Sequence, residues 1–291
     1  MIGIFSALGA ALSWTYACHI WRNQSNNLAP AEINLIKNII AFVVFIPSFI
    51  YFDFINDIKS IFLLLISGII GIGIGDTLYI KSLKLIGTRK TLSIEALSPL
   101  FAGLSGNIFI NEDLTARSWI GIILFSGSLI MIILDRKNIF KNKYLPCKDK
   151  IRPKNYIFAF LSVFCAVVGA LLSRLVFKEN DYNPIQTTEI RLFGSILLLI
   201  SFTKVRLNFF NEKSENKDKI TFFLSILMGT NIGILLQQIV FKTLPLGIGW
   251  SLLSISPLIS LVFAKKEEGG ISWSVIIPTI SLLIGLTLIV L

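Results

Sequence analysis

Two thirty-residue stretches, GIGIGDTLYIKSLKLIGTRKTLSIEALSPL (Gly71–Leu100) and GTNIGILLQQIVFKTLPLGIGWSLLSISPL (Gly229–Leu258), align without a gap. At this offset of 158, Pro99 falls on Pro257, Gly71 on Gly229, Gly75 on Gly233 and Lys84 on Lys242. Ile74, Leu78, Ser93, Ser98 and Leu100 bring the total to 9 identities over 30 pairs. Paired Gly, Pro and Lys arise by chance less readily in apolar sequence than paired Leu or Ile. Upstream, an offset of 154 places Pro30 on Pro184 and Lys37 on Arg191. The chain reads as a duplicated unit.

The unit is a membrane unit. Over 291 residues the mean hydropathy is +0.76, with 54% hydrophobic and 15% charged residues, against roughly 25% charged in an average soluble chain. The apolar residues cluster in runs near the roughly 20 residues a helix needs to cross the hydrocarbon layer. This excludes a disordered chain and a disulfide-stapled secreted module, and argues against a soluble enzyme. Spans are predicted near 2–21, 33–52, 61–83, 91–110, 118–134, 156–174, 187–203, 220–240, 246–263 and 272–291. All are read as helices, because lipid-facing backbone must satisfy its own hydrogen bonds and no period-two barrel pattern is present. The first span lacks a basic leader and a cleavage site, and is read as retained.

The basic stretch 135–155, with eight Lys/Arg and two Asp, divides the spans five to five. Five is odd, so the second half enters the membrane upside down relative to the first. The expected fold is all-α and integral to the membrane: ten transmembrane helices as two inverted five-helix repeats, residues 1–134 and 156–291, joined by a basic linker. Such repeats place a transporter's site near the bilayer midplane where the halves meet.

Residues Gly71–Ile133 resemble the EamA domain of the drug/metabolite transporter superfamily. The resemblance is carried by a Gly-rich third helix, a fourth helix with a central Pro99 and a Glu at its end (Glu112), and a Gly-rich fifth helix beginning near Gly121. It implies ten helices, two EamA repeats, and export or exchange of small metabolites without ATP hydrolysis. The second half departs from the pattern, since its helix-ending acid, Glu267 or Glu268, comes early and its fourth helix has no acid.

An ionisable side chain at membrane depth costs at least about 2.5–3.5 kcal/mol on insertion scales and is a functional candidate by default. Residues present in both halves are more readily structural; those in one half are candidates for a task. Glu95 stands opposite Leu253 at the 158 offset and shares a helical stripe with Ser98, Pro99, Ala102 and Gly106. It reads equally as a cavity acid or as a helix-start acid favoured by the macrodipole or paired with Arg89. Asp76 stands opposite Ile234 and reads as a substrate- or proton-binding acid or as the partner of Lys81 near the span end. Tyr79 shares the side of Asp76 and reads as a stacking surface or an interfacial anchor. Asn231 and Gln238 share a face of the eighth span and either bind substrate or bond a neighbouring helix. Trp14, on a stripe of small residues, reads as packing or as a cavity wall.

Gly71, Gly75, Gly229 and Gly233 read as close-packing faces, and Pro99 and Pro257 as mid-helix hinges. Lys37 and Arg191 read as structural or topological, with Glu189 beside Arg191. The lone His19, next to Trp21 and Arg22, reads as interfacial. Cys18, Cys147 and Cys165 form no metal or disulfide pattern; no cofactor or metal is expected.

Four readings of function follow. The leading one is a secondary transporter of a small organic metabolite, amino acid or drug across the cell membrane, coupled to protons through an acid such as Glu95 or working by exchange. Its partners are the substrate, protons and membrane lipids, with no nucleic acid, in a monomer or homodimer. A lipid or lipid-linked sugar translocator of the same fold is the nearer alternative. An integral-membrane enzyme would need a catalytic motif, and HExxH, GxSxG, Walker A and Asp-rich motifs are absent. A receptor or scaffold fits poorly with so little chain outside the spans.

Orientation follows from charge. Loops on the side of the N-terminus hold five Lys/Arg; the opposite loops hold twenty, and the remaining two lie inside spans. Basic loops stay cytoplasmic, so both termini are expected outside. Family resemblance implies the opposite.

Overall fold

The structure, a computed structural model, describes residues 1–24, 28–48, 57–134, 153–203, 216–256, 259 and 276–290. Pro257, Glu267 and Glu268, most of the 135–155 linker, and the side chains of Arg22 and Arg89 lie outside the described residues. Among the described residues the regular structure is helical. In order it comprises α1 (Ile2–Gln24), α2 (Pro30–Phe45), α3 (Ile58–Ser67, a π-helical segment Gly68–Asp76, then Thr77–Ile86) and α4 (Thr88–Glu95). There follow α5 (Ser98–Ile110), α6 (Ala116–Leu134), α7 (Tyr156–Glu179) and α8 (Pro184–Phe202). Last come α9 (Asn216–Ile226, a π-helical segment Leu227–Ile232, then Gly233–Thr243), α10 (Leu246–Leu253) and α11 (Ile276–Val290).

Four of these helical runs, Ile58–Ile86, Tyr156–Glu179, Pro184–Phe202 and Lys219–Thr243, are each long and apolar enough to cross a membrane. Ser98–Ile110, Ala116–Ile132 and Ile277–Ile289 are shorter apolar helices. The distribution of polarity says what surrounds them. Phe5, Phe62, Phe109, Phe164 and Ile200 are exposed, whereas Asn34, Lys37, Asn38, Glu189, Arg191 and Gln238 are buried. Water would favour the reverse. An apolar exterior around a polar interior suits hydrocarbon, and the chain is a multi-pass membrane protein.

Helix starts follow local chemistry. Pro30 and Pro184 stand in the first turns of α2 and α8, where the missing N–H has no helical partner to lose. Asp57 accepts from the Ser60 amide at 3.2 Å to cap α3, and the Asn183 side chain accepts from the Ile185 amide at 2.9 Å to cap α8. Gly87, at φ 82°, makes the sharp turn from α3 to α4, a conformation that costs a residue with a Cβ far more.

The mid-helix hinge expected at Pro99 is instead a break. Proline cannot donate to the carbonyl four residues back, here that of Glu95, and its ring clashes with it. The α-helix therefore stops at Glu95; Ala96 and Leu97 turn, and α5 begins with Pro99 in its first turn. In the second half α10 ends at Leu253, the residue 158 beyond Glu95, and α10 itself, Leu246–Leu253, lies at that offset from Thr88–Glu95.

The two halves of the sequence interlock. Helix α1 lies on α9, where a Cβ built on Gly229 would strike Ala17 and stand 3.0 Å from the Trp21 ring. Helix α7 lies on α3, where a Cβ on Gly169 would come within 2.8 Å of Gly71 Cα. Between these helices Ser67 Oγ donates to the Gly169 carbonyl at 2.6 Å. Helix α6 meets α11 through Gly121 and Gly285 in the same manner. Without a hydrophobic drive between helices in lipid, close backbone approach and interhelical hydrogen bonds supply the association.

Candidate functional site

The π-helical segments lie where α3 and α9 pass the centre of the bundle. The run GIIGIGIGD (Gly68–Asp76) carries four glycines and an acid, so side chains do not crowd the widened turn. Asn34 of α2 donates to the carbonyls of Ile72 (2.8 Å) and Gly73 (3.0 Å), and Thr77 Oγ1 donates to Gly73 at 2.6 Å. These bonds satisfy carbonyls that the loosened helix leaves short, and π segments recur at functional sites.

A cavity of about 80 Å³ opens beside both segments. Its wall takes Ala10, Ala11 and Trp14 from α1, Gly71, Ile72, Gly75, Asp76 and Tyr79 from α3, Glu95 from α4, Ser98 from α5, Arg191 from α8, and Gly233, Ile234 and Gln237 from α9. Ser162, Val163 and Ala166 of α7 and Trp250, Leu253, Ser254 and Ser256 complete it. Five residues line it together with their counterparts at the 158 offset: Gly75 with Gly233, Asp76 with Ile234, Tyr79 with Gln237, Glu95 with Leu253, and Ser98 with Ser256. The cavity thus takes matching positions of the two stretches with differing chemistry, acids from the first and branched aliphatics from the second.

Asp76 pairs with Lys37 of α2 at 2.5 Å. Its sequence neighbour Lys81 instead lies 3.9 Å from the centre of the Phe158 ring. Residues five apart on a helix project on different sides, which is why proximity in sequence points to the wrong lysine. Lys37 is fully buried and rests 5.0 Å from the Trp21 ring centre, a cation–π contact that replaces part of its lost hydration. Trp21 is itself fully buried rather than interfacial, while its neighbour His19 is exposed.

Glu95 lines the cavity and its Oε2 has no hydrogen-bond partner. It ends α4 and so stands at a helix C-terminus, the opposite of the helix-start position that would have favoured an acid there. Tyr79 lines the cavity and is otherwise buried, with its hydroxyl 3.5 Å from Cys18 Sγ and its ring centre 6.0 Å from that of Trp14. Asn231 does not line the cavity; its Nδ2 donates to the Ala41 carbonyl of α2 at 3.0 Å. Gln238 is fully buried away from it, and Gln237 lines the wall. Gly71 and Gly75 face α7, and Gly229 faces α1, while Gly233 opens on the cavity.

Two cavity residues escape a reading of the sequence. Arg191 reads there as structural because Lys37 recurs in the other half, yet it reaches the cavity wall. Trp250 carries no signal beyond being aromatic. Glu112, in sequence only a helix-ending acid, accepts from Arg174 Nε at 2.6 Å and from the Leu246 amide at 2.8 Å. It ties α5 to α7 and to the start of α10, outside the cavity.

The family model of EamA-like transporters matches residues 1–134. Residues 1–134 are an EamA domain. The EamA match covers α1 to α6 and thus the Asp76, Tyr79 and Glu95 wall of the cavity. A relative from Archaeoglobus fulgidus, named an uncharacterized transporter, is 22% identical over 270 residues, which is 90% of this chain and 88% of that one. A protein of known crystal structure superposes with a TM-score of 0.73 at 14% identity, over 99% of this chain and 96% of its own. At that identity the likeness is one of fold.

Proposed function

We propose that this chain is a secondary transporter of a small organic metabolite, amino acid or drug, working as an exporter or exchanger across the cell membrane. The architecture it would use is ten spans in two inverted five-helix repeats, residues 1–134 and 156–291, joined by the basic linker 135–155. The observation that carries the reading is the cavity lined from both sides by residues 158 apart, near the middle of α1, α3 and α9. A site at the meeting of two related halves is what alternating access requires, because each half can rock against the other about a fixed ligand. Matching first-turn prolines in α2 and α8, and matching ends of α4 and α10, support the duplication. The EamA domain and the transporter-named relative point to transport rather than to an enzyme.

The site residues in this reading are Asp76, Tyr79, Glu95 and Trp14, with Arg191 and Trp250 added by the geometry. Asn231 bonds a neighbouring helix, and Gln238 is buried without a side-chain hydrogen bond. Counterflow in proteoliposomes preloaded with a pooled metabolite library tests the proposal. Accelerated uptake of at least one labelled compound is expected. Hydrolysis or group transfer in detergent, without flux, would overturn it.

A further inference from the structure

The two basic residues that recur in the repeat are not equivalent. Lys37 has a counterion, Asp76 at 2.5 Å. Arg191 stands at the matching place in the second half, and the residue 158 beyond Asp76 is Ile234. The acid that neutralises one cation is therefore missing for the other.

The structure bears this out atom by atom. Arg191 is 3% exposed, and its Nε and Nη1 make no hydrogen bond. Glu189, two residues before it, projects elsewhere, and its Oε1 accepts from Ser48 Oγ. A guanidinium holds its proton under all ordinary conditions, so burial cannot discharge it. An unpaired buried charge is strongly unfavourable, and here the charge lines the cavity. The cavity adds two unsatisfied indole donors, Trp14 Nε1 and Trp250 Nε1, and two unsatisfied hydroxyls, Ser98 Oγ and Ser254 Oγ. The unsatisfied groups are donor-rich, with Glu95 Oε2 as the acceptor among them.

We infer that Arg191 is the anchor for a carboxylate of the transported molecule, so that this cavity takes small organic carboxylates. The assignment rests on the transport reading above and narrows its substrate class. A guanidinium offers parallel N–H groups that match a carboxylate's two oxygens, giving charge-assisted bonds about twice as strong as neutral ones. The rings of Trp14, Tyr79 and Trp250 then flank the rest of the molecule. Asp76 attracts the guanidinium across the cavity but forms no ion pair with it, its oxygen being bonded by Lys37.

Three probes with one skeleton test this on the purified full chain in detergent: phenylacetate, phenylacetamide and phenethylammonium. Phenylacetate at about five times its Kd should raise the unfolding temperature by about 2–4 °C, and the other two should not. Arg191→Gln should lose that shift, and Arg191→Lys, which keeps the charge without the fork, should weaken binding about tenfold or more. Should Arg191→Gln fail to fold, the wild-type series decides. Equal stabilisation by the amide or the ammonium compound would overturn the inference. So would a carboxylate shift that survives in Arg191→Gln, or the absence of any shift with phenylacetate, acetate and pyruvate up to their solubility limits. The library counterflow separates the two proposals. Flux of neutral or cationic compounds alone keeps the transporter and removes the carboxylate. A carboxylate shift without flux of any compound keeps the site and removes the transporter.

Discussion

Glu95 and Glu112 are both acids near the ends of the broken fourth span, and their surroundings assign them opposite roles. Glu112 is 8% exposed and accepts from Arg174 and from the Leu246 amide, while Arg174 also donates to the carbonyls of Phe241 and Lys242 at 2.8 Å. Glu112→Ala would remove the carboxylate from the partly buried Arg174, which keeps the Phe241 and Lys242 carbonyls, and would free the Leu246 amide. The expected cost is about 1–3 kcal/mol, read as a fall in thermal stability by size-exclusion fluorescence. Glu95 has an unsatisfied oxygen on the cavity and an apolar counterpart, Leu253, at the equivalent place. Glu95→Gln should therefore fold nearly as well as the parent. If Glu95 carries the coupling proton, that variant loses pH-driven flux in proteoliposomes. Unchanged pH dependence would assign Glu95 to structure.

At the level of helices, glycine marks where backbones touch. A Cβ built on Gly169 of α7 would meet Gly71 Cα at 2.8 Å, the Ser67 carbonyl at 3.0 Å and the Gly71 amide at 3.2 Å. Gly169→Val should push α7 from α3 and cost about 1–3 kcal/mol. A Cβ on Gly127 of α6 would meet nothing within 4 Å, so Gly127→Ala should be neutral or stabilise by about 0.5–1 kcal/mol through its helix preference. Equal effects from the two substitutions in a thermal melt would show that close approach is not what holds these helices.

Across the whole molecule, the charges sort by end. The N-terminal end gathers Lys59 with Glu179 (2.8 Å), Lys242 with Asp181 (2.5 Å) and Arg174 with Glu112 (2.6 Å), while Lys178 donates to the Ile110 carbonyl at 2.7 Å. The hydrogen bond and charge of Lys242 hold the Asp181 carboxyl below its usual range, so this pairing persists into mildly acidic conditions and is lost only as pH falls through that lowered value. Four of the five basic residues that the sequence assigns to this end are thus engaged, whereas the sequence puts twenty Lys/Arg in the loops expected opposite. Basic loops remain cytoplasmic, so the reading keeps both termini outside. A cysteine placed at Asn142, in a Cys-free background, should resist a membrane-impermeant thiol reagent in intact cells. Ready labelling would place the termini in the cytoplasm instead.

The sequence by itself determined the class of the molecule, its helices and the two related stretches, because hydropathy and the positions of Gly and Pro are properties of the chain alone. It also singled out Asp76, Tyr79, Glu95 and Trp14, each of which lines the cavity. Partner choice was beyond it. Asp76 pairs with a lysine 39 residues away, Gln237 rather than Gln238 faces the cavity, and Arg191 forms no ion pair among the described residues. Those outcomes depend on how α2, α3, α8 and α9 cross, and a residue's place in a repeat does not disclose what stands opposite it. Only the tertiary structure could decide which of two matching cations is neutralised and which is left facing the cavity.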